Sequence, residues 1–144
     1  MKVKVVKVLL ILTVLFIWLH SLLPADISGV ESMKWADRLN LAFTSLHLPL
    51  RFDGDHVLRK MAHALEYALL GVEGSLYYRW TGKLKKRCGL HHLFYIGFTV
   101  AFLDETIQLF VPGRSGEIRD VWIDLIGFTA AVLITALPAA RRTD

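Results

Sequence analysis

Three clusters of chemically able side chains interrupt otherwise apolar stretches: His63, Glu66 and Tyr67; then Asp104, Glu105 and Gln108; then Asp120 and Asp124. Side chains three or four positions apart share a helix face. His63, Tyr67, Leu70 and Gly74 therefore form one stripe, with Glu66 and Gly71 at its edges. Gly97, Ala101, Asp104 and Gln108 form a second with Glu105 beside it, and Asp120, Asp124, Gly127 and Ala131 a third. An imidazole among carboxylates is the equipment of general acid–base chemistry, and His63, Glu66, Asp104, Glu105 and Asp124 are the candidate catalytic residues. Arg114 and Arg119 follow the Pro112-Gly113 turn, and Arg59 precedes His63; guanidinium groups there would clamp a carboxylate or phosphate. With Tyr67, Gln108 and Asp120 they make the candidate ligand-binding set. His63-x-x-Glu66 with nearby acids has metal-ligand types, but one histidine among acids is not a ligand motif, and no metal or cofactor is assigned.

Four segments are built to carry these residues. They run about 5–23, 58–78, 93–111 and 118–137, each near the ~20 apolar residues that a helix needs to cross a ~30 Å hydrocarbon layer. Pro24, Pro112-Gly113 and Pro138 punctuate the first, third and fourth; Tyr77, Tyr78 and Trp80 close the second as an aromatic interface anchor. The first segment is too long for the apolar core of a signal peptide, and Leu23 is a poor residue before a cleavage point at Ala25, so an anchor is expected. Between segments one and two, Ser28 and Glu31 fit a capping box. Val30, Trp35, Leu39, Ala42, Phe43 and Leu46 then recur at helical spacing, the mark of an amphipathic helix lying on the membrane or capping the bundle. The expected architecture is an all-α membrane protein: one domain over residues 1–144, a four-transmembrane-helix bundle with an extracytoplasmic amphipathic helix between helices 1 and 2.

Basic residues set the orientation. Lys2, Lys4 and Lys7, then Arg79, Lys83, Lys85, Lys86 and Arg87, then Arg141 and Arg142 mark three cytoplasmic regions, so both termini face in. The first loop mixes Lys34, Arg38 and Arg51 with Asp26, Glu31, Asp37, Asp53 and Asp55; it and the Pro112-Gly113 turn face out. Composition agrees: 54% hydrophobic against 21% charged residues, with mean hydropathy +0.45. The net charge of +4 sits in clusters beside apolar runs, where membranes select it, so nucleic acid is not an expected partner. Cys88 is the lone cysteine, which excludes a disulfide within the chain.

At ~1.5 Å rise per residue, His63 lies ~8 Å in from Leu58, Asp104 ~10 Å in from Val111 and Asp124 ~9 Å in from Ile118. Helices of alternating direction thus bring these groups to one level beneath the outer face. Such a cluster fits an enzyme acting on a lipid-linked phosphate, a binding site for a lipid, or a polar network that pins helices together. Four short helices without an inverted repeat give no transport pathway. His20, His47, His91 and His92 read as interface residues, and Lys60 as a lysine reaching toward headgroups.

Two stretches carry a family resemblance. Arg59-Lys60-Met61-Ala62-His63-Ala64-Leu65-Glu66-Tyr67-Ala68-Leu69-Leu70-Gly71 resembles the R-K-x-x-H-x-x-E-Y-x-x-L-G signature of VanZ-like membrane proteins. Asp104-Glu105 with Gln108, then Phe110-Val111-Pro112-Gly113-Arg114-Ser115, then Asp120 through Asp124 and Gly127 resemble that family's second block. The matched motifs span 59–127. Ala131 stands where relatives often carry Gly, which keeps the position small; Asp124 stands where many carry Asn, which adds a charge. The resemblance implies a multi-pass protein of the bacterial cell membrane and cell envelope, with membrane lipids, a lipid-linked envelope precursor or a lipoglycopeptide as partners. The family's namesake is associated with modest antibiotic resistance toward teicoplanin.

Overall fold

The computed structural model describes residues 1–51, 55–86, 88–114 and 116–141. Asp53, Arg87, Ser115 and Arg142 lie outside the described residues, as do the side chains of Glu31, Asp55 and Arg141. Among the described residues the chain is all-helical: α1 (Lys2–Ser21), α2 (Ala25–Ser45), α3 (Asp55–Trp80), a 3-10 turn (Lys83–Lys85), α4 (Gly89–Gln108) and α5 (Ile118–Arg141). By length and composition α1 is the one helix among them long and apolar enough to cross a membrane.

The aliphatic run of α1 ends at Ser21, and Pro24, which has no N–H to donate, stands at the N-cap of α2 with φ −55°. Helix α2 thus begins three residues before the expected capping serine. Ser28 instead lies within the first turn, its hydroxyl donating to the Ala25 carbonyl at 3.3 Å. Of the expected apolar stripe of α2, Val30, Trp35 and Leu46 are exposed rather than packed as a cap on the bundle; Ser28 and Ala36 are buried, and the helix contacts α3. A second expectation is overturned at the far end. Helix α5 runs through Pro138 to Arg141, because proline so near a C-terminus sacrifices one intrahelical hydrogen bond and leaves the body of the helix intact.

The principal interface joins α3 to α5. It is made close by glycine: a Cβ on Gly127 would stand 2.2 Å from the Ala64 carbonyl oxygen, and one on Gly71 would stand 2.6 Å from that of Phe128. Small residues permit backbones to meet in this way. On the other side of α5, the Phe128 ring fills the notch left by Gly97 of α4. Tyr67, Leu70, Leu93, Val100, Ala101, Val121, Phe128 and Val132 make the core with Ile17 of α1. Tyr78 joins them: its hydroxyl sits 2.8 Å from His92 Nδ1, so within the proposed aromatic anchor Trp80 is the exposed member.

Large apolar side chains cover much of the helix surface. Leu65 and Leu69 of α3, Phe98 and Phe102 of α4, and Trp122, Ile126 and Ile134 of α5 are all exposed, whereas His63, Glu73, Asp104, Glu105, Gln108 and Asp124 are buried.

Candidate functional site

Each stripe read from the sequence faces the bundle axis. His63 and Tyr67 from α3, Asp104, Glu105 and Gln108 from α4, and Asp124 from α5 are all buried, and Glu66 and Asp120 are partly so. The common level arises because α3 and α5 enter from the end at which α4 leaves.

The outer rim is a small polar cavity of about 50 Å³, with Arg59, Lys60, His63, Gln108, Arg114, Glu117 and Asp120 among its lining residues. The guanidinium of Arg114 is fixed by its Nε donating to the Leu23 carbonyl at 3.1 Å, while its Nη2 is buried with no partner. Burial, and then the charge of neighbouring Arg59, hold the Arg114 guanidinium below its ordinary pKa. Lys60 Nζ meets Asp120 Oδ1 at 2.5 Å, which corrects its reading as a lysine extended toward headgroups. Arg119 is exposed on the first turn of α5 and does not line the cavity.

Glu105 is held on both oxygens. Oε1 accepts from Gln108 Nε2 at 3.3 Å and Oε2 from the Glu117 backbone N–H at 3.0 Å. It ties α4 to the segment that enters α5, so its geometry is that of a residue that positions the 109–117 connection.

One turn deeper the side chains are less well paired. Asp104 and Asp124 are fully buried; Asp104 lies within reach of Ser21 and Gln108, whereas among the described residues neither Asp124 oxygen, nor the Tyr67 hydroxyl, nor His63 Nδ1 has a hydrogen-bond partner. His63 Nδ1 stands 3.9 Å from both Glu66 Oε2 and Asp104 Oδ2, beyond hydrogen-bonding range.

Helix α1 supplies parts that the sequence reading left outside. His20 Nδ1 donates to Glu66 Oε1 at 3.1 Å, and its ring stacks on His63 with centroids 5.6 Å apart. The neighbouring Ser21 hydroxyl accepts from Gln108 Nε2 at 3.3 Å. The available signal was a His-Ser pair closing an aliphatic segment at the same depth as the acids. Glu73, two turns further along α3 than Glu66, is a further buried acid with an unpaired Oε2.

These features define an all-helical bundle that buries an imidazole and a carboxylate cluster under a cationic rim. A family model described as VanZ/LLP1 matches residues 6–138, from α1 into the last turns of α5. The chain belongs to the VanZ/LLP1 family. No curated protein and no solved structure matches it.

Proposed function

We propose that the chain is a multi-pass protein of the bacterial cell membrane that binds an anionic envelope lipid at its extracytoplasmic side. The inverted distribution of side chains supports the four-span bundle: ionisable residues within spans turn inward, and apolar residues face the hydrocarbon. Charge supports the orientation with both termini in the cytoplasm. The exposed Val30, Trp35 and Leu46 of α2 suit a helix resting on the outer membrane surface.

The observation that carries the binding reading is that an apolar groove and the polar cavity share a wall. One apolar cavity along α4 and α5 is lined by Phe94, Phe98, Trp122, Leu125 and Ile126, and a second, sharing Phe98 and Trp122 with it, is lined by Phe102, Leu109, Glu105 and Glu117. Glu117 is also a wall of the polar cavity beside Arg114. Volumes of about 540 and 320 Å³ along the groove suit an acyl or prenyl chain, and the 50 Å³ polar cavity suits a phosphate oxygen rather than a sugar. The unpartnered Arg114 Nη2 is the donor for that oxygen.

The test is native mass spectrometry of the purified protein with a polyprenyl phosphate and with phosphatidylcholine. Preferential retention of the phosphate lipid, lost in Arg114→Ala, is expected; equal retention of both lipids sinks the reading. Occupancy of this kind would change how a lipoglycopeptide such as teicoplanin sits at the membrane, measured as lower susceptibility of cells expressing the protein.

The second reading is turnover of a lipid-linked phosphate by a hydrolase or transferase. It is favoured by the placing of His63 between Glu66 and Asp104 at the floor of the same cavity. Product release in the same assay, abolished in His63→Ala, separates it from binding alone.

A further inference from the structure

Beneath the polar cavity, three buried side chains on three helices converge. One ligand atom each from His63, Asp104 and Asp124 lies within 4.8 Å of the other two, and all three residues are buried. An ionised carboxylate is acceptor-only, so while both are charged Asp104 and Asp124 cannot satisfy one another. Lys60 is engaged by Asp120, and Arg114, whose charge is felt at Asp104, is anchored through Nε on the Leu23 carbonyl at the polar cavity. Two carboxylates and an imidazole are left around a common point in a low-dielectric interior, where an uncompensated charge is costly.

We propose that His63, Asp104 and Asp124 bind one divalent transition-metal ion, with the Tyr67 hydroxyl as an outer-shell donor to the carboxylates. The charge of a divalent ion balances two carboxylates. Bonds of ~2.0–2.2 Å in a tetrahedral shell place ligand atoms ~3.3–3.6 Å apart, so a triangle of up to 4.8 Å draws in by as much as about 1 Å, a movement within the reach of side-chain rotation. An imidazole with two carboxylates suits Zn²⁺ or Mn²⁺, whereas an all-oxygen shell would suit Mg²⁺ or Ca²⁺. Tyr67 is fully buried, its hydroxyl has no partner, and it feels the charge of both Asp104 and Asp124 from one turn below His63. The Gln108 and Glu105 side chains already hold each other, which leaves the inner triad as the separate ligand set. This inference concerns a metal ion and stands apart from lipid binding.

The experiment uses the full chain in detergent, stripped with chelator and then titrated with Zn²⁺ alone and with Mn²⁺ alone, with Ca²⁺ as control. Bound metal is counted by elemental analysis, and thermal unfolding is followed in parallel. One equivalent of Zn²⁺ or Mn²⁺ per chain, with a metal-dependent rise in melting temperature, is expected. Asp124→Asn keeps the side-chain volume and should weaken binding by at least ~10-fold, since even an outer-shell loss has that effect. His63→Gln provides the same measurement should Asp124→Asn not fold. Wild-type protein that takes up no stoichiometric metal, folded variants that bind as tightly as wild type, or equal uptake of Ca²⁺ would each overturn the proposal.

Discussion

Gly127 of α5 lies so close to Ala64 of α3 that a Cβ there would stand 2.2 Å from the Ala64 carbonyl oxygen. Asp124 is one turn before Gly127 and His63 adjoins Ala64, so this contact sets the distance across the site. Gly127→Val must push α5 away from α3. Overpacking of this kind costs about 1–3 kcal/mol. Unfolding of the purified variant in detergent should occur at a distinctly lower temperature than wild type; an unchanged melting temperature would show that the helices are not held at this separation.

His20 links α1 to the site through Glu66. Removing the imidazole leaves a partly buried carboxylate oxygen without this donor, a loss of about 1–3 kcal/mol. His20→Ala should therefore lower thermal stability, while His20→Gln, which keeps a donor, should restore part of it. Equal behaviour of the two variants would mean that ring stacking on His63, rather than the hydrogen bond, is what matters.

The sequence made the inward stripes legible because each combines a 3.6-residue period with polar residues that lipid does not tolerate. Helical rise from the segment ends therefore puts His63, Asp104 and Asp124 at one depth. What the sequence could not supply was the partner of each group. Lys60 and Asp120 are 60 residues apart and their pairing depends on how α3 and α5 are rotated, which no single helix encodes. His20 was passed over for the same reason: its own segment has no polar face, so nothing local separates a histidine facing a neighbour from one facing lipid. Arg119 erred in the opposite direction. It follows Arg114 closely in sequence, but the start of α5 turns it outward. The end of α5 was misjudged because a proline was read as a stop irrespective of how few helical bonds lay beyond it.

Arg114 should resist conservative replacement. One guanidinium nitrogen holds the Leu23 carbonyl while another is buried without a partner in a side chain that lines the cavity, and a lysine ammonium cannot span both positions. Losing one charge-assisted hydrogen bond of about 1.5–3 kcal/mol corresponds to roughly 10- to 100-fold in affinity. Arg114→Lys should thus retain polyprenyl phosphate much more weakly than wild type in quantitative lipid binding. Wild-type affinity would indicate that the cavity recognises net charge alone.

Glu105 offers a clean separation between positioning and contact with a ligand. Its two oxygens are occupied by Gln108 Nε2 and the Glu117 N–H, which together anchor the connection that carries Arg114. Glu105→Gln retains an oxygen that can accept the Glu117 N–H, so lipid binding should stay close to wild type. Glu105→Leu removes both acceptors, leaves a partly buried N–H without its partner at a cost of up to about 1–3 kcal/mol, and should loosen the connection. Limited proteolysis at Arg114 then reports the difference: rapid cleavage of the leucine variant, slow cleavage of the glutamine variant and of wild type. If Glu105→Gln instead loses binding while Arg114 stays protected from cleavage, the carboxylate itself meets the ligand, and Glu105 belongs with the groups that touch it.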